Sequence, residues 1–335
     1  MRLLGGLSTM DGNALASLGI YRPTLLERKA RLEAAARMAP AAALRKLLDE
    51  VDAALERIEN GSYGLCESCH DPIEPEGLAR NPMARFCIDH LTRAELAAHE
   101  EDVQLAAQIQ EKLLPPRELQ IAEWETGYRY VPAGAVSGDY CELMAAGGGG
   151  LFFAVGDIAG KGVAASLLMT HLSAIIRSLA SLDLPLAELM QRANGLFCES
   201  TGPSHFATLV CGRAAGNRVE VSNAGHCRPL WLRRGTTERL DSSGLPLGLF
   251  NGAEYEVREV ILDEGEALAL FSDGISEAHR DDGEEYGEER LAGVLKRHSG
   301  LDADGLAGAA LHDVDGFLGT KAAGDDRTVM ILRRR

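Results

Sequence analysis

Beyond residue 117, short runs of β-forming residues alternate with glycine-rich turns. This pattern limits the possible folds more than any other feature of the sequence. Because few amphipathic helices separate the runs, the pattern favours an α+β sandwich over a doubly wound parallel sheet. The glycines at 147–150 are predicted to form a flexible turn between two strands. Strands are predicted at 127–131, 151–157, 206–212, 218–225, 267–274 and 327–332. Helices are predicted at about 163–181, 186–200, 287–298 and 303–318.

The first third of the chain has a helical pattern and contains a cysteine-rich knot. Residues 1–22 show no periodicity and are expected to be loosely ordered. Helices are predicted over 23–38 and 41–59, and Asn60-Gly61 ends the second one. The sequence therefore predicts four parts: 1–22, a helical segment with a small finger at 23–92, a linker helix at 93–116 and a sandwich domain at 117–335.

The predicted linker helix carries an apolar stripe and ends at Pro115-Pro116. Such a stripe must bury against another surface. Two packing partners are possible for this stripe. One is the neighbouring domain, and the other is the same helix of a second copy, which would make the chain a homodimer. The stripe consists of Leu96, Val103, Ala106, Ile109 and Leu113.

Composition limits the class of partner and the compartment. The 335 residues include 34 Lys and Arg against 50 Asp and Glu, a formal charge of −16, so a nucleic-acid partner is not expected. No stretch approaches about 18 uninterrupted apolar residues, so a membrane span is not expected either. The N-terminal sequence has one arginine and no long apolar core, which predicts a cytoplasmic location without a secretory signal.

Three of the seven cysteines lie close together in the sequence and predict a metal site. Cys66 and Cys69 form a C-x-x-C pair, and Cys87 and His90 form a C-x-x-H pair. Zn²⁺ takes four thiolate or imidazole ligands at tetrahedral corners, and two-residue spacing lets one turn supply two of them. With all four positions filled by protein, the zinc would be structural. His70 directly follows Cys69 and is the less suitable alternative to His90.

The segment LDEVDAALERIENGSYGLCESC…CIDH resembles the zinc fingers of the DksA/TraR family over roughly 40–92. That family usually ends its finger with a fourth cysteine, where His90 stands here. The resemblance implies a helix leading into the finger and contact with a protein, which in that family is RNA polymerase. Asp49-x-x-Asp52-x-Ala54 matches the acidic tip signature of DksA proteins. It lies on the helix that enters the finger, and we interpret it as a chance match.

Aspartates stand at the ends of apolar runs in the predicted sandwich. Asp157 ends LFFAVGD, Asp273 follows ALALFS, Asp325 comes just before RTVMIL, and Asp139 follows Ser137-Gly138. Such strand ends would bring carboxylates to one edge, where they repel one another unless a cation neutralises them. Oxygen ligands suit Mg²⁺ or Mn²⁺ rather than zinc. Two such ions bridged by one carboxylate can activate a water and polarise a phosphoryl group.

Other enzyme classes lack their motifs. Residues 156–162, GDIAGKG, are one residue short of a phosphate-binding loop and lack its hydroxyl. No G-x-S-x-G elbow is present, so a serine hydrolase has no support. His205, His226 and His279 have no evident orienting partner.

Six ordered motifs resemble the SpoIIE/RsbU-like bacterial branch of the metal-dependent protein phosphatases: SGDY, GDIAGKGVAASLLM, NAGHCRP, GLPLG, LFSDGISEA and GDDRTV. The resemblance spans about 108–333, and AAQIQEKLLPP resembles the segment before the domain in RsbU-like proteins. It implies an α-β-β-α sandwich, two antiparallel sheets flanked by helices, with two Mn²⁺ or Mg²⁺ ions at one edge.

The resemblance also implies roles for individual residues. Asp157 would bridge the two ions, assisted by the Ile158 carbonyl, and Asp139 would serve the second ion. Asp273 and Asp325 would serve the first ion. These residues form the candidate catalytic set.

The chain departs from the family pattern at several positions. Cys141-Glu142 stands where many relatives have an aromatic residue and Asp, and this is expected to alter the rim of the site. Ala159 takes the place of a serine in this branch and of a histidine general acid in eukaryotic relatives. The leaving group must therefore be protonated by water or by an unidentified residue.

Three residues near these motifs are left outside the catalytic set. Of the neighbouring aspartates Asp325 and Asp326, Asp326 is the less suitable metal ligand. Lys161 is interpreted as a solvated turn residue and His226 as part of a turn that begins at Asn223, rather than as phosphate contacts.

The sequence therefore predicts a cytoplasmic phosphoserine/phosphothreonine protein phosphatase with two catalytic Mn²⁺ or Mg²⁺ ions and one structural zinc. By resemblance, its substrate would be a phosphorylated STAS-type anti-sigma-factor antagonist. The alternative hypothesis is a regulatory adaptor. Its zinc finger would bind RNA polymerase or another protein, and its phosphatase-like domain would not be catalytic. The intact acidic set argues against that alternative.

Overall fold

The computed structural model describes residues 21–38, 42–91, 93–182, 184–202, 204–234, 236–241 and 244–335. They divide into two compact units, Met1–Glu101 and Asp102–Arg335. The loose order expected at 1–22 lies outside the described residues, apart from Tyr21 and Arg22, which begin the first helix.

The first unit consists of helices and the finger. Leu25 and Val51 on the first two helices are buried in one apolar cluster with Tyr63 and Ile73 of the finger. Full burial of a leucine side chain stabilises a fold by about 1.5–3 kcal/mol, so this cluster ties the finger to the helices. The elements are α1 (Tyr21–Met38), α2 (Ala42–Glu59), α3 (Pro75–Arg80), a 3₁₀ turn (Ile88–His90) and α4 (Arg93–Leu113), within which the boundary between the units falls.

The second unit contains two antiparallel sheets. Their strands are β1 (Glu118–Ile121), β2 (Trp124–Val131), β3 (Asp139–Ala146), β4 (Gly150–Ile158), β5 (Ala207–Ala215), β6 (Arg218–Ala224), β7 (Leu230–Arg233), β8 (Thr236–Arg239), β9 (Arg258–Ile261), β10 (Ala267–Phe271) and β11 (Arg327–Arg334). The first sheet has the order β1-β2-β11-β10-β7-β8, and the second has the order β3-β4-β5-β6-β9. Gly147–Gly149 forms a 3₁₀ turn between β3 and β4.

Helices cover the outer face of each sheet. They are α5 (Gly162–Ala180), α6 (Leu186–Ser200), α7 (Asp273–Ser276), α8 (Glu288–Arg297) and α9 (Ala303–Leu318). Side chains of β4 alternate, because Phe153 and Val155 enter the core between the sheets while Phe152 and Ala154 pack with α5 and α6. Residues of α8 and α9 pack on β10 and β11. The predicted α-β-β-α sandwich is confirmed.

The apolar helix α5 belongs to this packing. By length and composition alone, it is the one helix among the described residues that could cross a membrane. Its residues Ala165, Met169, Leu172 and Ile176 are buried in the cluster shared with β4.

Candidate metal centres

The second sheet supplies Asp139 and Asp157 from neighbouring strands. Asp139 begins β3, and its direct antiparallel partner is Asp157, the last residue but one of β4. Asp139 is 1% exposed, and Thr328 Oγ1 donates to its Oδ2 at 2.5 Å. Burial raises the pKa of Asp139 well above its ordinary value, and the charge of Asp157 adds to the rise. Two carboxylates therefore meet at one end of this ladder.

The first sheet supplies Asp273 and Asp325, which also lie at adjacent ends of two antiparallel strands. β10 and β11 are antiparallel neighbours, so Asp273, just after β10, meets Asp325, just before β11. The approach is close enough to require glycine, since a Cβ on Gly274 would lie 2.0 Å from the Asp326 carbonyl oxygen. Burial raises the pKa of Asp273, and the charge of Asp325 adds to it.

The carboxylates of the two sheets interact with one another. Burial raises the pKa of Asp157 to about 7, and the charges of Asp273 and Asp325 contribute. The loop before β3 lies against this group, since a Cβ on Gly138 would be 3.2 Å from Asp157 Oδ1 and 3.3 Å from the Ile158 carbonyl oxygen. We call this place the acidic edge; it consists of Asp139, Asp157, the Ile158 carbonyl, Asp273 and Asp325.

Asp326 has a different environment from Asp325. The backbone N–H groups of Ala133 and Gly138 donate to its two carboxylate oxygens at 2.7 and 2.8 Å. The Asp326 side chain therefore fastens the loop before β3, whereas Asp325 contacts Lys161.

The last turn of α4 reaches the same loop. Gln110 is buried, its Nε2 donates to the Ser137 carbonyl at 2.7 Å, and its Oε1 accepts from the Ser137 N–H at 2.9 Å. Ser137 Oγ in turn accepts from the Asp139 N–H at 3.0 Å. The Gln110 amide is thus linked to the first residue of β3 through Ser137.

Lys161 and His226 lie at the acidic edge, although sequence reasoning set both aside. Lys161 is exposed, as expected of a turn residue, but its Nζ lies 2.8 Å from Asp325 Oδ2. His226 does belong to a turn shaped by Asn223, whose Oδ1 accepts from the His226 N–H at 2.8 Å. The His226 side chain also lines a cleft together with Asp157 and Asp273. Neither contact has a signal in the local sequence.

The donor set of the acidic edge fits Mg²⁺ or Mn²⁺, because it offers only carboxylate and carbonyl oxygens. In the part of the chain that the structure describes, three or more ligand atoms lie within 4.8 Å of one another only in the cysteine cluster described below. The aspartates are therefore spaced more widely. Mg²⁺ usually keeps several of its waters and takes only one or two carboxylates, so one ion need not contact all four aspartates.

The expectation that Cys141-Glu142 alters the rim of the site is wrong. Both side chains are buried, and Glu142 pairs with Arg177 of α5. Arg177 Nη2 also donates to the Leu113 carbonyl at 2.6 Å. An acid in the middle of β3 thus faces the covering helix and is neutralised there.

The finger gathers Cys66, Cys69, Cys87 and His90. Their ligand atoms all lie within 4.8 Å of one another. Cys69 Sγ is 3.7 Å from Cys87 Sγ, which in turn is 3.2 Å from His90 Nδ1. A tetrahedral zinc with Zn–S bonds of about 2.3 Å separates two sulfurs by about 3.8 Å, so the cluster fits zinc. His70 is not a member of the cluster.

An ion-pair network supports the turn that holds the first two cysteines. Glu67 Oε1 accepts from Arg85 Nε and from Arg57 Nη1, each at 2.8 Å. These two arginines, Arg85 above all, lower the pKa of Glu67 to about 2. The Arg57 side chain, from α2, also donates to the Met83 carbonyl at 3.0 Å, so one guanidinium joins the helix to both halves of the finger.

Sequence comparisons match one family over most of the sandwich and find a local similarity for the finger. The family profile described as Stage II sporulation protein E (SpoIIE) matches residues 147–335. Phosphoserine phosphatase RsbU of Bacillus subtilis (strain 168) is 24% identical over 238 residues, which cover 70% of this chain and 70% of RsbU. The RNA polymerase-binding transcription factor DksA of Caulobacter vibrioides (strain NA1000 / CB15N) is 41% identical over 51 residues, 15% of this chain and 36% of DksA.

Solved structures share the sandwich fold. The SiaA-PP2C domain of Pseudomonas aeruginosa has a TM-score of 0.62 at 20% identity, covering 72% of this chain and 98% of that one. The RsbU and RsbW domains of Rv1364c from Mycobacterium tuberculosis have a TM-score of 0.58 at 22% identity, covering 65% and 62% of the two chains. At these identities, the similarities show the fold.

Proposed function

We infer that this chain, which belongs to the SpoIIE family of metal-dependent protein serine/threonine phosphatases, removes phosphate from phosphoserine and phosphothreonine at the acidic edge. The observation that carries this inference is that strand ends of two sheets bring four aspartates to one edge, where their charges interact. Burial and the charges of the neighbouring aspartates raise the pKa of Asp157 to about 7, which means that its ionised form is unfavourable there unless a cation neutralises the group.

We propose a role for each ligand, supported by the family resemblance. Asp157 would bridge two Mn²⁺ or Mg²⁺ ions with help from the Ile158 carbonyl, and Asp139 would serve the second ion. Asp273 and Asp325 would serve the first. When bound, two such cations lower the pKa of a water molecule and neutralise charge on the phosphoryl group.

The remaining residues hold these oxygens in place before the substrate arrives. Thr328 donates to Asp139, and its N–H donates to Ser272 Oγ at 2.9 Å, one residue before Asp273. Asp326 fastens the loop beside Asp157. Carboxylates fixed in this way need no reorganisation during the reaction, which favours the transition state.

The activity is tested with a small aryl phosphate. We expect hydrolysis with Mn²⁺ that stops with EDTA, and a loss of at least about 100-fold in Asp157→Asn and Asp273→Asn. Asp263→Asn, at the opposite end of β10, is the matched control and should keep full activity. Activity that persists in both site variants would refute the assignment.

The substrate proposal follows the relatives. RsbU is named a phosphoserine phosphatase, and we propose that this chain acts on a phosphorylated STAS-type anti-sigma-factor antagonist in the cytoplasm. Purified phosphoproteins encoded beside this gene are the substrates to assay, and an antagonist that keeps its phosphate in the presence of active enzyme would contradict the proposal.

A second role is proposed for the finger. The four-ligand cluster and the similarity to DksA favour a structural zinc and a protein partner, RNA polymerase being the first candidate. A pull-down with the full chain should recover polymerase from wild type and lose it in Cys66→Ser. Recovery of polymerase without any metal-dependent hydrolysis would favour the adaptor hypothesis over the enzyme.

We also propose that α4 pairs with a second copy of itself. Leu105 and Ile109 on α4 are 55% and 49% exposed, which leaves apolar surface for a partner. Light scattering should give a dimer, and a monomer both with and without zinc would contradict it.

A further inference from the structure

His226 makes a contact that its turn-shaping role does not require. The residue is 5% exposed, and Nδ1 lies 2.8 Å from Thr208 Oγ1. Thr208 of β5 is the antiparallel partner of Asp157 on β4, and its hydroxyl donates to the Asp157 carbonyl at 3.4 Å. Hydrogen bonds therefore connect the imidazole to Asp157 through one hydroxyl.

The ring is neutral and is fixed by its surroundings. Burial lowers the pKa of His226 to about 4, against a smaller opposite influence of the Phe271 carbonyl. Nε2 makes no hydrogen bond of normal geometry with the described residues, so Nδ1 carries the one short polar contact of the ring. Phe271 ends β10, two residues before Asp273, and the ring is thus near strands of both sheets.

The backbone of the turn presents the ring in this position. Asn223 Nδ2 donates to the His226 carbonyl at 3.1 Å, and Asn223 Oδ1 accepts from the His226 N–H. The main chain of His226 is therefore held from both ends by one amide, while its side chain faces Thr208. A histidine needed only to close the turn would not need a buried contact to a hydroxyl.

We propose that His226 is a positioning residue for Asp157, which it holds through Thr208. The proposal rests on the proposed function, in which Asp157 is the bridging ligand. A neutral imidazole adds no charge to the acidic edge, so it acts by fixing the orientation of β4 at that residue. Removal of partners that orient a metal ligand changes metal affinity or activity about 10–100-fold.

Paired variants separate this role from packing. Thr208→Val removes the hydroxyl at nearly constant volume, and Thr208→Ser retains it. His226→Asn keeps a polar group at the position of Nδ1, His226→Gln moves it to the position of Nε2, and His226→Leu removes both. His312→Leu, at an exposed position on α9, is the matched control.

The measurements on the full chain are the dissociation constant of Mn²⁺ by calorimetry, the melting temperature without metal, and kcat and KM for an aryl phosphate. We expect Thr208→Val, His226→Leu and His226→Gln to bind Mn²⁺ about 10–100-fold more weakly. Thr208→Ser, His226→Asn and His312→Leu should stay near wild type. Because both residues act in one chain of contacts, Thr208→Val with His226→Leu should be no weaker than the worse single variant.

The outcomes distinguish this inference from the proposed function. Wild-type affinity for Mn²⁺ in Thr208→Val overturns the inference, and this isosteric variant decides the matter should His226→Leu fail to fold. Equal behaviour of the Asn and Gln variants also overturns it, because the position of the nitrogen would then not matter. Absence of Mn²⁺-dependent hydrolysis in wild type instead refutes the proposed function, and the inference with it.

Discussion

Lys161 Nζ lies 2.8 Å from Asp325 Oδ2, so an ammonium group contacts one carboxylate of the acidic edge. The same ammonium donates to the Gly324 carbonyl at 2.7 Å. The hydrogen bond to Asp325 raises the pKa of Lys161, which therefore keeps its charge. A divalent cation that binds Asp325 must compete with this charge.

Lys161→Gln should therefore bind Mn²⁺ more tightly, by up to about fivefold, because an exposed ion pair is worth about 0.2–1 kcal/mol. Calorimetry at low and high salt measures the change, which should shrink as salt screens the charge. Lys29→Gln is the control, because Lys29 pairs with Asp52 in the first unit instead. Weaker binding in Lys161→Gln would show that the lysine supports the site rather than competing for it.

The ion pair of the buried Glu142 with Arg177 should contribute strongly to the packing of α5 on β3. Arg177→Ala leaves the buried Glu142 carboxylate without its charge partner and should lower the free energy of unfolding by about 3 kcal/mol. Glu188→Ala, which breaks the exposed pair with Arg192, should cost less than about 0.5 kcal/mol. Urea unfolding followed by tryptophan fluorescence reports on this unit, because Trp124 and Trp231 both belong to it. Equal losses in the two variants would contradict the expectation.

The pair of Asp304 and Arg129 predicts a pH dependence. Hydrogen bonding to Arg129 lowers the pKa of Asp304, so this acid stabilises the fold above its ordinary value of 3.8 and loses that contribution as pH falls through the lower folded value. Asp304→Asn should cost about 0.5–1 kcal/mol at pH 7, after allowance for solvent screening.

That cost should disappear at pH values well below 3.8. Asp302→Asn is the control, because Asp302 caps α9 by accepting from the Gly305 N–H, and asparagine caps a helix as well as aspartate does. A cost for Asp304→Asn that is the same at both pH values would rule out the ion pair as its source.

Two histidines of the finger should differ in their effect on zinc. His90→Ala removes one of the four gathered ligand atoms and should weaken zinc binding by at least about tenfold, whereas His70→Ala should bind as wild type does. Competition with a colorimetric chelator on the full chain gives the affinity, and elemental analysis gives the zinc content. Loss of zinc in His70→Ala alone would reverse the ligand assignment.

Local patterns predicted most of the longer elements, but the eight-residue β3 was given no bounds, and the strand predicted at 267–274 runs into α7. The helices at 186–200 and 303–318 were predicted with the bounds that the structure has, because their apolar periodicity begins beside Pro185 and the capping Asp302. The strands of four residues, β1, β7, β8 and β9, were missed, and so was the six-residue α3. Such short elements carry too few residues for a period to appear, and they depend on pairing or packing for their stability.

The acidic edge was predictable as a set of residues but not as a set of contacts. Family motifs named the four aspartates, and strand ends explained why they should meet. The contact of Lys161 with Asp325 joins loops that are far apart in the sequence, and the contact of His226 with Thr208 depends on the register of β5. Glu142 was misplaced at the rim because a motif comparison does not say which face of β3 a side chain takes.

The Gln110 amide has a practical consequence for anyone who trims this protein. A shortened chain that starts at residue 117, the predicted start of the sandwich domain, would keep every strand and every aspartate of the acidic edge. It would lack the group that bonds both the N–H and the carbonyl of Ser137. Asp139, the first residue of β3, would then be held by fewer hydrogen bonds, and the shortened sandwich would not reproduce the metal site of the intact enzyme.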